Sequence, residues 1–139
     1  MLFKKLILCA GTGMLLCSFP AFSEAAGRRN AAAEENREPT GEVVDGVREI
    51  RMEASQFEFD PETIVVYEGE TVEIAAVSTD VTHGFGLEEY DIDQVLEPGE
   101  EETIRFTAEE PGTYTFRCTV FCGAGHGGMQ GELIVLPEE

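Results

Sequence analysis

The chain has 139 residues, with 28 acidic residues against 9 lysines and arginines, and a net charge of −19 at pH 7. This length allows one small domain with short extensions. The negative charge disfavours nucleic acid and anionic membranes as partners, whereas it suits either docking of a basic protein or solubility alone.

The N-terminal segment is arranged like a secretory signal peptide. Lys4 and Lys5 precede an apolar run over residues 6–16, and small residues suited to cleavage follow. We therefore predict a signal peptide over residues 1–25 and a periplasmic or secreted protein. The alternative is an uncleaved anchor facing the periplasm, because residues 6–22 are only slightly shorter than the roughly 20 residues of a spanning helix.

Removal of this segment changes the balance of charges and thiols. Seven arginines, no lysine and 27 acidic residues remain, so that the net charge is near −20. The remaining cysteines are Cys118 and Cys122. Such a pair forms a disulfide by default in an oxidising compartment, so any other use must be argued from its neighbours.

A change of pattern at residue 47 separates a linker from a domain. Residues 26–46 contain few large apolar side chains, which predicts a flexible acidic linker. Residues 47–139 form the predicted domain, in which alternating or apolar runs are separated by proline and glycine turns. The runs are residues 50–54, 57–59, 63–67, 71–77, 102–108, 113–118 and 131–136.

Seven or so short strands of this kind predict an all-β fold, either an antiparallel sandwich or a barrel. The alternation also predicts which side chains face the core. They are Ile50, Phe57, Phe59, Ile64, Val66, Val72, Ile74, Phe106, Tyr114, Phe116, Leu133 and Val135.

The loop between the last two predicted strands concentrates side chains that bind soft metals. Its residues Cys118, Cys122, His126 and Met129 have the spacing C-x3-C-x3-H-x2-M. Thiolate, imidazole and thioether together favour copper over hard cations. A disulfide remains an alternative, as does a zinc site of two cysteines and two histidines, which would leave the methionine without a role.

The second histidine of the chain extends this group. His83 lies in the segment STDVTHGFGL, at residues 78–87, after a predicted strand. In a Greek-key sandwich, such a loop lies beside the loop between the last two strands. We therefore expect His83 to complete a metal site with the loop at residues 118–129.

Two segments carry a resemblance to a known family. VSTDVTHGFGL (77–87) and CTVFCGAGHGGMQGELIV (118–135) resemble the binuclear copper (CuA) domain of cytochrome c oxidase subunit II and of nitrous oxide reductase. The resemblance spans roughly residues 47–137. It implies a cupredoxin-like Greek-key β-sandwich or barrel of about seven to eight strands.

The resemblance also implies six ligands for two copper ions. They are His83, Cys118, the backbone carbonyl of Val120, Cys122, His126 and Met129. In the family, both thiolates bridge the two ions and each histidine binds one ion, while the thioether and the carbonyl are weak ligands. Such a site passes one electron at a time.

Several positions depart from the pattern of the oxidase subunit. Val120 stands where that subunit usually has a magnesium-binding glutamate, and the chain contains no tryptophan for docking cytochrome c. The chain also has at most one apolar segment where the subunit usually has two membrane helices. The many histidines of the reductase's catalytic cluster are missing as well.

These observations predict an electron carrier without catalytic activity of its own. It would pass electrons between redox partners such as a c-type cytochrome and an oxidase or reductase. One alternative is a subunit II-like component of a haem–copper terminal oxidase. The others are a copper delivery or storage protein and a mononuclear cupredoxin that uses only some of the ligands.

Overall fold

A computed structural model describes residues 37–138. The predicted signal peptide and the first part of the predicted linker lie outside the described residues. Ten strands are present in the described part of the chain. They are β1 (Glu42–Val44), β2 (Val47–Ser55), β3 (Glu58–Asp60), β4 (Thr63–Tyr67), β5 (Thr71–Ser78), β6 (His83–Leu87), β7 (Ile92–Leu96), β8 (Glu101–Thr107), β9 (Gly112–Arg117) and β10 (Gln130–Leu136).

The strands form two sheets packed as a sandwich. The first sheet has the order β1-β2-β5-β8, with β3 also paired to β2, and the second has the order β4-β10-β9-β6-β7. The pairs β2–β5 and β4–β10 are parallel, whereas the sequence predicted an antiparallel arrangement. The first parallel pair arises because the chain crosses to β4 in the other sheet before it returns as β5.

The core between the sheets follows the alternation of the sequence. In β2, Ile50, Met52 and Ala54 are buried while the residues between them are exposed. The predicted all-β sandwich is therefore confirmed. Phe57 is a correction, because its side chain is 37% exposed and lies in the turn after β2 rather than in the core. Tyr114 is only half-buried.

Three strands escaped the sequence pattern. All three residues of β1 are exposed, so the sequence shows no alternation of apolar and polar residues there. The strand begins two residues after Thr40 and pairs with β2. β6 has the sequence HGFGL and is buried throughout. A Cβ atom on Gly86 would lie 2.4 Å from Thr119 Cγ2, so any larger residue at this position of the strand would clash with Thr119. β7 is the edge strand beside it.

The predicted linker over residues 26–46 is described from residue 37 onward. In this part, Thr40 exchanges hydrogen bonds with Val65 of β4: its amide donates to the Val65 carbonyl at 2.8 Å, and its hydroxyl oxygen accepts from the Val65 amide at 2.9 Å. Residues 40–44 are therefore attached to the sandwich.

Helices long and apolar enough to cross a bilayer are absent from residues 37–138.

Candidate metal centre

Two segments meet at one end of the sandwich. The loop over residues 118–129 connects β9 to β10, which are neighbours in the second sheet. His83 opens β6, which pairs with the other side of β9. The sheet therefore places the histidine beside the loop, as the sequence predicted for a Greek-key sandwich.

Backbone hydrogen bonds give the loop a defined shape. The Cys118 amide donates to the Met129 carbonyl at 3.0 Å, which closes the loop at its base. A single 3-10 turn follows at His126–Gly128, where the His126 amide donates to the Gly123 carbonyl at 3.2 Å. These bonds turn the side chains of the loop toward one another.

All six predicted residues come together. Cys118 Sγ lies 3.7 Å from Cys122 Sγ and 3.8 Å from His83 Nδ1. The ligand atoms of these three residues all lie within 4.8 Å of one another. His126 Nδ1 is 3.7 Å from Cys122 Sγ, and Met129 Sδ is 3.8 Å from the same sulfur.

The remaining predicted donor is a backbone oxygen. The Val120 carbonyl lies 3.1 Å from Cys118 Sγ and accepts a hydrogen bond from that thiol. The two sulfur atoms at 3.7 Å are far beyond the roughly 2.05 Å of a disulfide bond. Both cysteines are free thiols in this structure.

Burial affects the protonation of the Cys122 thiol. Cys118, Cys122 and Met129 are buried, and His83 has no exposed surface. Burial, together with the adjacent Cys118 thiol, raises the pKa of Cys122 to about 11. The Cys122 thiol is therefore protonated at neutral pH without metal, and binding of a metal to its thiolate must release a proton.

A carboxylate orients the buried histidine. Asp80 Oδ1 lies 2.7 Å from His83 Nε2, which leaves Nδ1 facing Cys118. Carboxylates bound in this way fix the tautomer and ring orientation of metal-binding histidines. Burial would raise the pKa of Asp80, but hydrogen bonds from the Val81 amide and the His83 ring outweigh it and lower that pKa.

Sequence reasoning assigned no role to Asp80 or to Gln56. Asp80 precedes His83 by three residues, and this spacing within the DVTH motif was the available signal. Gln56 donates from Nε2 to the Cys122 carbonyl at 2.6 Å. It is separated from that cysteine by 66 residues, so no local pattern could have found it.

The donor set fits copper. Two thiols, two imidazole nitrogens and a thioether form a soft ligand set that suits copper better than magnesium or calcium. Ligand atoms 3.7–3.8 Å apart can share a metal ion, since metal–sulfur bonds in proteins are roughly 2.3 Å long. Zinc would use the same thiols and imidazoles, but it rarely recruits a thioether such as that of Met129.

Fold and donor set together define a β-sandwich metalloprotein whose soft ligands lie at one end of the sandwich. The chain belongs to the cupredoxin-like domain family, since the model of that family matches residues 13–135. The resemblance predicted from the two sequence motifs is thereby confirmed at the level of the family.

Individual relatives agree with this assignment. The chain is 38% identical over 82 residues to cytochrome c oxidase subunit 2 of Thermus thermophilus, across 59% of this chain and 61% of that one. It is 41% identical over 56 residues to nitrous-oxide reductase of Ralstonia nicotianae, across 40% of this chain but 9% of the enzyme. The chain thus spans less than two thirds of both relatives.

A solved structure gives the same result in three dimensions. A chain of a heme-copper terminal oxidase dimer, determined by cryo-electron microscopy, superposes with a TM-score of 0.63 and 29% identity. The match covers 73% of each chain. The protein is therefore a cupredoxin that resembles oxidase subunit II and carries a His–Cys–Cys cluster able to bind copper.

Proposed function

We propose that this protein is a one-electron carrier that holds two copper ions in a CuA-type site. The observation that carries the proposal is the clustering of six donor groups. The two cysteine sulfurs lie 3.7 Å apart, and each of the other four groups lies 3.1–3.8 Å from one of them. Two bound copper ions would supply one-electron redox chemistry, which none of the protein's own side chains at the site provides.

The polypeptide contributes a rigid and largely dry environment. His83 and Met129 are buried, and the loop that carries five of the predicted ligands is closed by backbone hydrogen bonds. Rigid ligands change their positions little when an electron arrives, so little energy is spent on reorganisation. Asp80 supports this role because it fixes the ring of His83.

Reconstitution with copper tests the proposal directly. We expect two copper ions per chain by elemental analysis and a seven-line EPR hyperfine pattern, which arises when one electron is shared over two copper nuclei. A four-line pattern with one copper per chain would indicate a mononuclear cupredoxin. A protein that binds only zinc would also contradict the proposal.

A second measurement separates electron transfer from copper delivery or storage. A carrier keeps its copper through repeated reduction and oxidation, because its function requires no transfer of the metal. We expect the copper content to stay constant over such cycles in the presence of a chelator. Rapid loss of copper to the chelator would favour delivery or storage.

The most specific second candidate is a subunit II-like component of a haem–copper terminal oxidase. It is favoured by the 38% identity to the Thermus thermophilus subunit and by the superposition on the terminal oxidase. Val120 counts against a conventional subunit, because it stands where the resemblance leads us to expect a glutamate. Co-purification with a haem-containing catalytic subunit would decide for this candidate.

We further propose that the partner is a redox protein such as a c-type cytochrome. The net charge of −19 suits a basic partner. Phe121 is 77% exposed, and its ring centroid lies 5.6 Å from that of His126, so an apolar contact is available beside the site. Loss of electron exchange with a basic cytochrome at high salt would support charge-guided docking.

The location outside the cytoplasm is also a proposal. It depends on the predicted signal peptide over residues 1–25, with residues 26–46 as a linker and residues 47–139 as the functional domain. N-terminal sequencing of the protein from the periplasm or the medium would test it. A mature chain beginning near residue 26 is expected, and an intact N-terminus in the membrane fraction would indicate an anchor.

A further inference from the structure

The turn between β2 and β3 touches both halves of the candidate metal centre. Gln56, the first residue after β2, donates from its side-chain Nε2 to the carbonyl of Cys122 at 2.6 Å. Its backbone amide donates to Asp80 Oδ2 at 2.7 Å. One residue is therefore bonded to the thiol loop and to the segment that precedes β6.

The second of these bonds leads to the buried histidine. Asp80 uses its other oxygen, Oδ1, to hold His83 Nε2 at 2.7 Å. A continuous chain of hydrogen bonds thus runs from the Cys122 backbone through Gln56 and Asp80 to the His83 ring. It joins two segments that the sequence separates by more than thirty residues.

Close packing accompanies the hydrogen bonds. A Cβ atom on Gly123 would lie 3.0 Å from Gln56 Nε2, and a Cβ atom on Gly125 would lie 2.3 Å from the Phe57 ring. The backbone of the ligand loop therefore rests directly on this turn. The contact also explains why Phe57 lies outside the core, where the sequence alternation had placed it.

Gln94, in the edge strand of the second sheet, provides a contrast to Gln56. Gln94 of β7 donates to the Val95 carbonyl at 3.2 Å and to Glu102 Oε2 at 3.3 Å. Both bonds are longer than that of Gln56, and neither involves a predicted ligand or its backbone. Of these two glutamines, only Gln56 is bonded to the backbone of a predicted ligand.

We propose that Gln56 is a positioning residue that holds the two halves of the metal centre together before the metal binds. Its side-chain amide anchors the backbone of Cys122, while its own backbone orients His83 through Asp80. The thiols and the imidazole are then already adjacent in the metal-free protein. The part of this inference that concerns copper rests on the proposed function, whereas the ordering of the loop does not.

Hydrogen exchange on the metal-free full chain tests the ordering of the loop. Gln56→Met keeps the size of the side chain and removes the donor, and Gln94→Met is the matched control. Loss of one hydrogen bond shifts a local opening equilibrium by about fivefold. We expect the amides of His126 and Gly128 to exchange about fivefold faster in Gln56→Met and to be unchanged in Gln94→Met.

Two results of this experiment would overturn the inference. One is exchange of the loop amides in Gln56→Met at the wild-type rate. The other is equal acceleration at core amides such as those of Ile74 and Ile104, because that would report a general loss of stability. Gln56→Lys restores a donor at this position, and we expect it to return the loop amides to nearly the wild-type rate.

Copper loss provides a second readout on the loaded protein. We expect transfer of copper from Gln56→Met to a chelator to be about fivefold faster than from the wild type, with Gln94→Met unchanged. Unchanged loss from Gln56→Met would overturn the role in holding the metal. If the protein took up no copper, the proposed function would fail, while accelerated exchange in the metal-free loop would still support the role of Gln56 in ordering it.

Discussion

The contacts at one end of the sandwich differ in kind from those at the other end. Near the start of β2, Arg48 makes two charged hydrogen bonds of 2.6 Å to the carboxylate of Glu70, and the arginine side chain is only 6% exposed. At the other end of β2, roughly 25 Å away for eight residues of strand, the sulfur and imidazole groups are 3.7–3.8 Å apart. Contacts of that length are weak hydrogen bonds at best.

The contrast separates folding from metal binding. Removal of one partner of the Arg48–Glu70 pair is costly with or without a metal, because it leaves a charge of little exposure unpaired. The thiols and imidazoles contribute little to one another in the absence of a metal. Substitutions of Arg48 or Glu70 should therefore change the free energy of unfolding, and substitutions of the predicted ligands should change metal content.

The largest expected effect is the loss of the copper centre in Cys122→Ser. A serine hydroxyl is a hard donor and would not replace the thiolate in the proposed two-copper site. We expect the seven-line EPR pattern to disappear while the circular dichroism spectrum of the β-sandwich is retained. Cys118→Ser should give the same two results.

Met129→Leu is the control for this prediction. Because the thioether is proposed to be a weak ligand, this variant should retain both copper ions and change only the reduction potential. Complete loss of metal from Met129→Leu, or retention of two ions in Cys122→Ser, would contradict the ligand roles proposed for these residues.

The next effect is on stability, at the opposite end. Arg48→Met leaves the Glu70 carboxylate without its partner, and we expect the free energy of unfolding to fall by roughly 2–3 kcal/mol. Urea denaturation measures this, and the EPR spectrum of the copper-loaded variant should not change.

The matched control replaces an exposed arginine. Arg105 is 59% exposed and pairs with Glu73 at 3.1 Å, a surface contact worth under about 1 kcal/mol. If Arg105→Met destabilised the protein as much as Arg48→Met, the contrast between a buried and an exposed pair would be wrong.

A smaller effect is expected where the ligand loop rests on the turn after β2. In Gly125→Ala, the new methyl group meets the Phe57 ring, so the loop or the ring must move, at a cost of roughly 1–3 kcal/mol. Gly127→Ala is the control, because no atom from beyond its two chain neighbours lies within 4 Å of a Cβ atom at that position. Equal unfolding free energies for the two variants would show that the loop does not depend on this contact.

The smallest expected effect is a pH dependence from Glu70. Burial would raise the pKa of Glu70, but hydrogen bonds from Arg48 and the Tyr67 amide lower it below its usual 4.5. A carboxyl with a lowered pKa in the folded state stabilises the protein above pH 4.5, and this contribution is lost as the pH falls further. We expect Glu70→Gln to flatten the acid side of the stability profile, measured by urea denaturation between pH 3 and 6.

Local sequence patterns predicted the continuous part of the candidate site. Five of the six predicted residues lie within residues 118–129, and the structure brings this loop and His83 together. The supporting residue Gln56 could not be predicted, because its contact with Cys122 depends on how the turn after β2 is placed in space. Strand β6 was missed for a related reason, since its glycines are required by Thr119 of the neighbouring segment.

The hydrogen bond from the Cys118 amide to the Met129 carbonyl has a consequence for how such sites diversify. It lies directly beyond the last paired residues of β9 and β10, Arg117 and Gln130. The pairing of the two strands therefore ends in a closed hydrogen bond, independently of the residues between Cys118 and Met129. The entropic cost of closing a loop rises by only about 0.6 kcal/mol for each doubling of its length. Insertions and deletions between Cys118 and Met129 therefore leave the sheet pairing intact, and the length of this segment is constrained by the geometry of its ligands and by its contact with the turn after β2.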